Sequence, residues 1–259
     1  MRNILAIFKK ELRIYFTTPV AYVSFAVFTI VSSFFFLRIL TNFQQAILIH
    51  TQRNPQMLQY MNFTDQVLTP LFYNVAVLLV FVVPFISMRL IAEERRSGSF
   101  ELLLSNPVTP AQIALGKYFA SLVVLLCMMA LVAIYPLLVQ AYAQVGSVAW
   151  ATVASGLLGL FLLGASFVAV GLFISALTRS QVVAAAITFC ALLLLWVVGW
   201  AASDNTGLTR DVLSAMSAIE HIRGFASGKI DLRDVVYYLS LMGFGVFLTH
   251  RSLEAQRWR

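Results

Sequence analysis

One uninterrupted stretch, residues 118–178, contains no Asp, Glu, Lys or Arg. A single helix needs only about 20 apolar residues to cross the hydrocarbon core of a bilayer, so this stretch is too long for one crossing. A polar cluster at Gln140, Gln144 and Ser147 interrupts it near the middle. Because a polar turn cannot lie in hydrocarbon, the stretch predicts two membrane-spanning helices that are joined outside the bilayer.

The composition of the whole chain indicates the same class. Of its 259 residues, 60% are hydrophobic and 11% are charged, whereas a soluble domain carries about 25% charged residues. We therefore predict an all-α, polytopic membrane protein with a single transmembrane domain, residues 1–259. Its six predicted spans lie at about residues 20–37, 71–88, 118–139, 150–177, 182–202 and 235–249. Five or seven spans are the alternatives to this count.

The first 17 residues have the pattern of an amphipathic helix. Its apolar side chains recur at helical spacing, namely Leu5, Phe8, Leu12, Tyr15 and Phe16. Lys9, Lys10 and Arg13 lie mostly off that stripe, and Pro19 follows as a helix breaker. We predict a helix along the membrane interface whose contacts come from Phe8, Lys9, Lys10, Leu12 and Arg13. The alternative is a plain basic flank of the first span.

Residues 89–117, which we call the coupling segment, separate the second span from the third. The segment carries seven charged residues: Arg89, Glu93, Glu94, Arg95, Arg96, Glu101 and Lys117. So many charges place it at or beyond one membrane face. Ser97-Gly98-Ser99 can end one helix, because glycine tolerates turn conformations. Phe100, Leu103 and Leu104 would then form the apolar face of a short second helix. Such a face, rimmed by charge, suits a groove on a soluble partner; the alternative is a solvated loop.

The distribution of basic residues predicts the orientation. Six spans put both termini on one side, and the segments on that side hold twelve Lys and Arg residues against six on the other. Cytoplasmic segments are enriched in Lys and Arg, so both termini and the coupling segment are predicted to be cytoplasmic. Residues 203–234 would then form an extracytoplasmic loop. Within that loop Leu208, Val212, Met216 and Ile219 predict a short amphipathic helix.

The residues that usually carry chemistry do not form a site in this sequence. No Asp, Glu, Lys or Arg lies in the interior of a predicted span, which argues against ion-coupled transport. His50, His221 and His250 lie in loops or at a span end. Metalloprotease, hydrolase-elbow and phosphate-loop motifs are absent. We therefore expect no catalytic, metal-binding or cofactor-binding residue in this chain and no nucleic-acid partner, and the energy for any work must come from another protein.

Two stretches of the sequence resemble a known family. The stretch E-E-R-R-S-G-S-F-E-L-L-L-S-N-P-V-T, followed by Gly116-Lys117, resembles the cytoplasmic coupling segment of ABC exporter permeases of the second type. The stretch H-I-R-G-F-A-S-G-K-I-D-L-R-D-V-V-Y-Y-L-S, from His221 to Ser240, is similar to one branch of that family. This branch contains the gliding-motility-associated and the nitrous-oxide-reductase-maturation permeases.

The resemblance implies a non-catalytic permease subunit that couples ATP hydrolysis to export across the cytoplasmic (inner) membrane. ATP and Mg would be bound by a separate cytosolic ATPase, present in two copies. A second permease chain, identical or related, would complete the complex, and the branch adds an extracytoplasmic auxiliary protein. The implied ATPase-coupling residues are Glu93, Glu94, Arg95, Arg96, Ser97, Gly98, Phe100, Glu101, Leu103 and Leu104.

Two other classes stay open. The first is a mechanotransmitter, in which the same ATPase-driven motion acts on a periplasmic partner and moves no substrate. The second is a transporter that works without an ATPase, against which the charge-free spans argue in its ion-coupled form. The sequence indicates neither the cargo nor whether the two permease chains are identical.

Overall fold

The computed structural model describes residues 2–53, 56, 62–98, 108–142, 148–204 and 207–257. Within these residues the chain is helical and contains no strand. The helices are α1 (Arg2–Thr17), α2 (Pro19–Arg53), α3 (Thr69–Ser87), α4 (Ala92–Arg96), α5 (Pro110–Tyr142), α6 (Trp150–Leu177), α7 (Gln181–Asp204), α8 (Leu208–Met216), α9 (Ala218–Ala226) and α10 (Leu232–Arg257). A π-helical turn, Thr64–Leu68, leads directly into α3.

Six helices in the described ranges are long and apolar enough to cross a membrane: α2, α3, α5, α6, α7 and α10. This confirms the predicted all-α class and the predicted number of spans. Several helices continue beyond the hydrophobic stretches from which they were predicted. α2 runs to Arg53, well past the predicted end of the first span near residue 37, and Ile39, Leu40 and Phe43 of this extension pack against the core. α5 begins at Pro110, before the predicted start near Tyr118.

Helix α6 lies at the centre of the bundle and packs against α3, α5, α7, α9 and α10. Its small residues explain how its neighbours approach so closely. A Cβ atom added at Gly159 would come 2.5 Å from Cβ of Phe225 in α9. On the facing helix α10, a Cβ atom at Gly245 would come 2.8 Å from the backbone of Ala169 in α6. These glycines therefore serve packing within one chain.

Helices α8 and α9 follow one another, separated only by Ser217, at the end of the bundle opposite α1 and α4. α9 is buried through Ile222 and Phe225, while no residue of α8 is buried. Two side chains of the spans hold the end of α9: Ser155 Oγ donates to the Phe225 carbonyl at 2.8 Å, and Thr69 Oγ1 donates to the Ala226 carbonyl at 3.0 Å. This part of residues 203–234 is therefore attached to the bundle.

Candidate functional site

The coupling segment begins with a tight turn that is fixed to the end of α6. Ser175 lies in the last turn of α6, and its Oγ accepts from the backbone N–H groups of Ile91 and Ala92, both at 3.1 Å. The same hydroxyl donates to the carbonyl of Met88 at 3.0 Å. The Ser175 side chain thus satisfies three backbone groups at the turn between α3 and α4. Two of them are N–H groups at the start of α4, where a helix offers no acceptor of its own.

A second contact joins α4 to the same end of α6. The Arg95 guanidinium donates through Nη1 to the carbonyl of Ala176 at 2.5 Å. Gln256, near the end of α10, donates through Nε2 to that carbonyl at 3.1 Å. The last turn of a helix leaves carbonyls without intrahelical partners. Here one such carbonyl, that of Ala176, accepts hydrogen bonds from side chains of two helices, α4 and α10, that are distant in sequence.

A buried ion-pair network joins α4 to α1 and α5. Lys117 in α5 places its Nζ atom 2.6 Å from Oε1 of Glu11 in α1 and 3.1 Å from Oε2 of Glu94 in α4. Lys10 places its Nζ atom 3.1 Å from Oε1 of the same Glu94. We call Lys10, Glu11, Glu94 and Lys117 the Lys117 cluster; its two cations balance its two carboxylates.

Burial differs sharply within the Lys117 cluster. The Lys117 side chain is 2% exposed and that of Glu11 is 8% exposed, whereas the side chain of Lys10 is 51% exposed. A buried charge is costly unless it is paired. Lys117 and Glu11 therefore require each other, while Lys10 completes the network from the solvent side.

Tyr15 and Arg89 make further contacts between α1 and the segment that follows α3, beside the Lys117 cluster. The Tyr15 hydroxyl donates to the carbonyl of Ile86 at 2.7 Å. Burial, together with the nearby Glu11 carboxylate, raises the pKa of Tyr15 above its usual range, so the phenol stays neutral and keeps this donor. The Arg89 guanidinium lies 5.5 Å from the centre of the Tyr15 ring and pairs with Glu93 at 3.3 Å.

Close backbone approach completes the contact between α1 and α5. A Cβ atom at Gly116 would come 2.8 Å from Cγ2 of Ile7, so only glycine fits there without movement. Asn3 donates from Nδ2 to Oε1 of Gln112 at 3.4 Å, one turn before Gly116. Helix α1 therefore lies along the first turns of α5, and α1, α4 and α5 meet at one end of the bundle.

The predicted site residues divide into four groups. Glu93, Glu94 and Arg95 make the contacts above, and Lys10 joins them from α1. Arg96, Ser97 and Gly98 are exposed, and Gly98 has a φ of +71°, which supports the prediction that the helix ends here. On α1, Phe8 and Leu12 are half-buried, whereas Lys9 and Arg13 are exposed. Phe100, Glu101, Leu103 and Leu104 lie outside the described residues.

Glu11, Lys117 and Ser175 contribute to this site but were not among the predicted site residues. Two of them carried a usable signal. Glu11 lies on the same i, i+4 row as Ile7 and Tyr15, which marks it as facing the protein. Lys117 is the last charge before the charge-free stretch. Ser175 gave no signal, because serine is common among the small residues of membrane helices.

The other end of the molecule holds a second polar arrangement. His221 in α9 places Nδ1 2.7 Å from Oδ1 of Asp234 and Nε2 3.1 Å from the carbonyl of Ala215. The two ring nitrogens of His221 therefore contact a carboxylate of α10 and a backbone carbonyl of α8. The Tyr237 ring stacks on His221 with 4.0 Å between the ring centres. The contacts of His221 fasten α8 and α9 to α10. Within the part of the chain that the structure describes, no group of His, Cys, Asp and Glu side chains could hold a metal ion.

Comparison with protein families identifies the class to which the chain belongs. Residues 5–212 match the family described as ABC-2 family transporter protein, a range that covers α1, the coupling segment and five of the six long helices. No curated protein matches the chain. The family match does not distinguish the gliding-motility and nitrous-oxide-reductase-maturation branch from others. The chain is therefore a member of the ABC-2 family of transporter proteins, a multi-pass membrane protein of the ABC permease class.

Proposed function

We propose that this chain is the permease subunit of an ABC exporter and that a separate cytosolic ATPase drives it through the coupling segment. The observation that carries the proposal is the buried position of Lys117 between Glu11 and Glu94. Lys117, on α5, thereby links α4 of the coupling segment to α1 and α5 through ion pairs. A force applied to α4 would therefore reach two other helices directly through these side chains.

The proposed transmission has two routes. The first runs from α4 to α6 through the Ser175 hydroxyl and the Ala176 carbonyl. The second runs from α4 to α1 and α5 through the Lys117 cluster. Because α6 packs against five other helices, its displacement would rearrange most of the bundle. ATP binding would close the ATPases and move the coupling segment, and these routes would carry that motion into the spans.

The complex would contain two permease chains, identical or related, and two ATPase subunits. ATP and Mg would bind in the ATPases, and this chain would supply no catalytic residue. Both termini and the coupling segment would lie on the cytoplasmic side of the inner membrane, as the excess of basic residues indicates. The opposite end, with α8 and α9, would face an extracytoplasmic auxiliary protein.

Copurification tests the ATPase partner. The tagged chain would be isolated in mild detergent from its native membrane, and copurifying ATP hydrolysis would be assayed. We expect an ATPase with the wild type, and its loss or uncoupling in Phe100→Ala and Glu101→Arg. A matched control is Arg210→Ala in α8, an exposed residue at the other end of the molecule. Absence of any ATPase under several gentle conditions would overturn the proposal and favour a transporter that works alone.

Cysteine labelling tests the orientation separately. Ser97 and Lys229 are exposed at opposite ends of the bundle, so each would be changed to Cys in a chain in which Cys127 and Cys190 are replaced by Ala. We expect a membrane-impermeant maleimide to label Lys229→Cys in intact spheroplasts and to label Ser97→Cys only after permeabilisation. The reverse pattern would show that the coupling segment faces away from the cytoplasm.

A further inference from the structure

An apolar groove runs between α1, α5 and α6. Its volume is about 480 Å³, and only apolar side chains line it. Leu5 and Phe8 form its wall on α1, Phe119, Leu122 and Leu126 its wall on α5, and Phe161 closes it on α6. Leu5, Phe119 and Leu126 are exposed, so the groove opens on the outside of the bundle. Leu126 lies roughly 10 Å further along α5 than Phe119, at 1.5 Å per residue, so the groove extends from α1 into the membrane.

Two exposed cations lie on α1 beside the groove. Leu5, Lys9 and Arg13 follow one another at i, i+4 spacing, so the row that begins in the groove wall continues in two basic residues. Among the described residues, no carboxylate pairs with Lys9 or Arg13, in contrast to Lys10, which pairs with Glu94. The Lys117 cluster, on the other side of α1, has balanced charges and therefore does not neutralise them.

This juxtaposition matches the chemistry of one ligand class. An apolar groove along a membrane helix suits an acyl chain, and two unpaired cations where that groove meets an interfacial helix suit a phosphate. We propose that the groove between α1, α5 and α6 binds one anionic phospholipid, with an acyl chain against Phe8 and Phe119 and its phosphate on Lys9 and Arg13. The bound lipid would hold α1 beside α5, so the anionic lipid content of the membrane would influence how firmly α1 is seated.

The site is independent of the proposed ATPase, since it requires only that the chain lies in a membrane. The proposed site also predicts a preference for anionic over zwitterionic lipids, which general lipid contact would not produce. A basic residue close to an anionic membrane surface contributes about a fivefold preference. Lys9 and Arg13 together should therefore favour an anionic lipid over a zwitterionic one by at least about tenfold, because the acyl chain contributes equally to both.

Native mass spectrometry of the full chain, with phosphatidylglycerol and phosphatidylcholine added in equal amounts, tests the proposal. We expect the first bound lipid to be phosphatidylglycerol, at least about tenfold over phosphatidylcholine. Lys9→Gln and Arg13→Gln should each reduce that preference about fivefold. The matched control is Arg179→Gln, which removes one exposed positive charge at the turn between α6 and α7, away from the groove. That variant should leave the preference unchanged.

A groove-filling variant makes the test sharper. Leu126 is 57% exposed, so Leu126→Trp can fill the groove without disturbing the buried core. We expect this variant to lose the first bound lipid of both kinds. Equal binding of the two lipids by the wild type would show general lipid contact only. An effect of Arg179→Gln as large as that of Lys9→Gln, or unchanged binding in Leu126→Trp, would also overturn the proposal.

Discussion

Lys117→Met tests the central contact of this molecule. The substitution keeps an unbranched side chain of similar length in the same packing environment but removes the charge. It leaves the Glu11 carboxylate, whose side chain is 8% exposed, without the partner that lies 2.6 Å away in the wild type. Removing one partner of a buried ion pair destabilises a protein by about 3–5 kcal/mol, because the remaining charge stays buried and unpaired. We therefore expect a loss of about 3 kcal/mol or more in the free energy of unfolding.

The same network supplies the control. Lys10 also pairs with Glu94, at 3.1 Å, but its side chain is 51% exposed. Exposed ion pairs contribute only about 0–1 kcal/mol, so Lys10→Met should change the free energy of unfolding by no more than about 1 kcal/mol. The two variants remove the same functional group from the same cluster and differ in burial.

A rescue variant separates charge from packing. Glu11→Gln in the Lys117→Met background replaces the stranded carboxylate with a neutral amide, which costs less to bury. We expect the double variant to recover part of the lost free energy, as a double-mutant cycle would measure it. Reversible unfolding in mixed detergent micelles is the assay. The role assigned to the buried pair is refuted if Lys117→Met lowers the free energy of unfolding no more than Lys10→Met does. It is also refuted if Glu11→Gln recovers none of the free energy lost in Lys117→Met.

Three further substitutions test other contacts of the structure by the same unfolding assay. Ser175→Ala leaves two backbone N–H groups without an acceptor and should cost about 1–3 kcal/mol, whereas Ser24→Ala, at a half-buried serine bonded within its own helix, should cost far less. Gly245→Ala should cost about 1–3 kcal/mol through overpacking against α6, while Gly243→Ala, which meets nothing within 4 Å, should be neutral or slightly stabilising. His221→Phe keeps a ring for stacking but removes both polar contacts and should cost about 1–3 kcal/mol; an unchanged free energy of unfolding would show that those contacts are not formed.

The sequence predicted the fold class because hydrocarbon imposes a simple rule. Charge-free stretches such as residues 118–178 must form helices that satisfy their own backbone groups, and the structure has two helices there, α5 and α6. Helix ends were harder to predict. Hydropathy reports where a helix leaves the hydrocarbon, not where it stops, so the continuation of α2 to Arg53 is not visible in composition.

The candidate site was predictable only in part, for a different reason. The charges of the coupling segment identified Glu93, Glu94 and Arg95, but their partners depend on how helices are rotated against each other. Lys117 is 106 residues from Glu11 in sequence, and nothing local relates them. The contact arises because Gly116 lets α1 approach α5 closely enough for a salt bridge. Such a pairing is a property of the assembled bundle.

The chemistry of the Lys117 cluster suggests why the junction of α1, α4 and α5 contains buried ion pairs and not apolar side chains. Apolar side chains of similar volume often stabilise a buried position as well as an ion pair does, or better. Apolar contacts are also non-directional, so they do not depend on one specific pairing of atoms. An ammonium group held between two carboxylates, at 2.6 Å and 3.1 Å, is satisfied in far fewer arrangements of α1, α4 and α5. Under the proposed function this junction would pass displacement from one helix to another and would benefit from that intolerance, so positioning would explain the buried charge better than stability does.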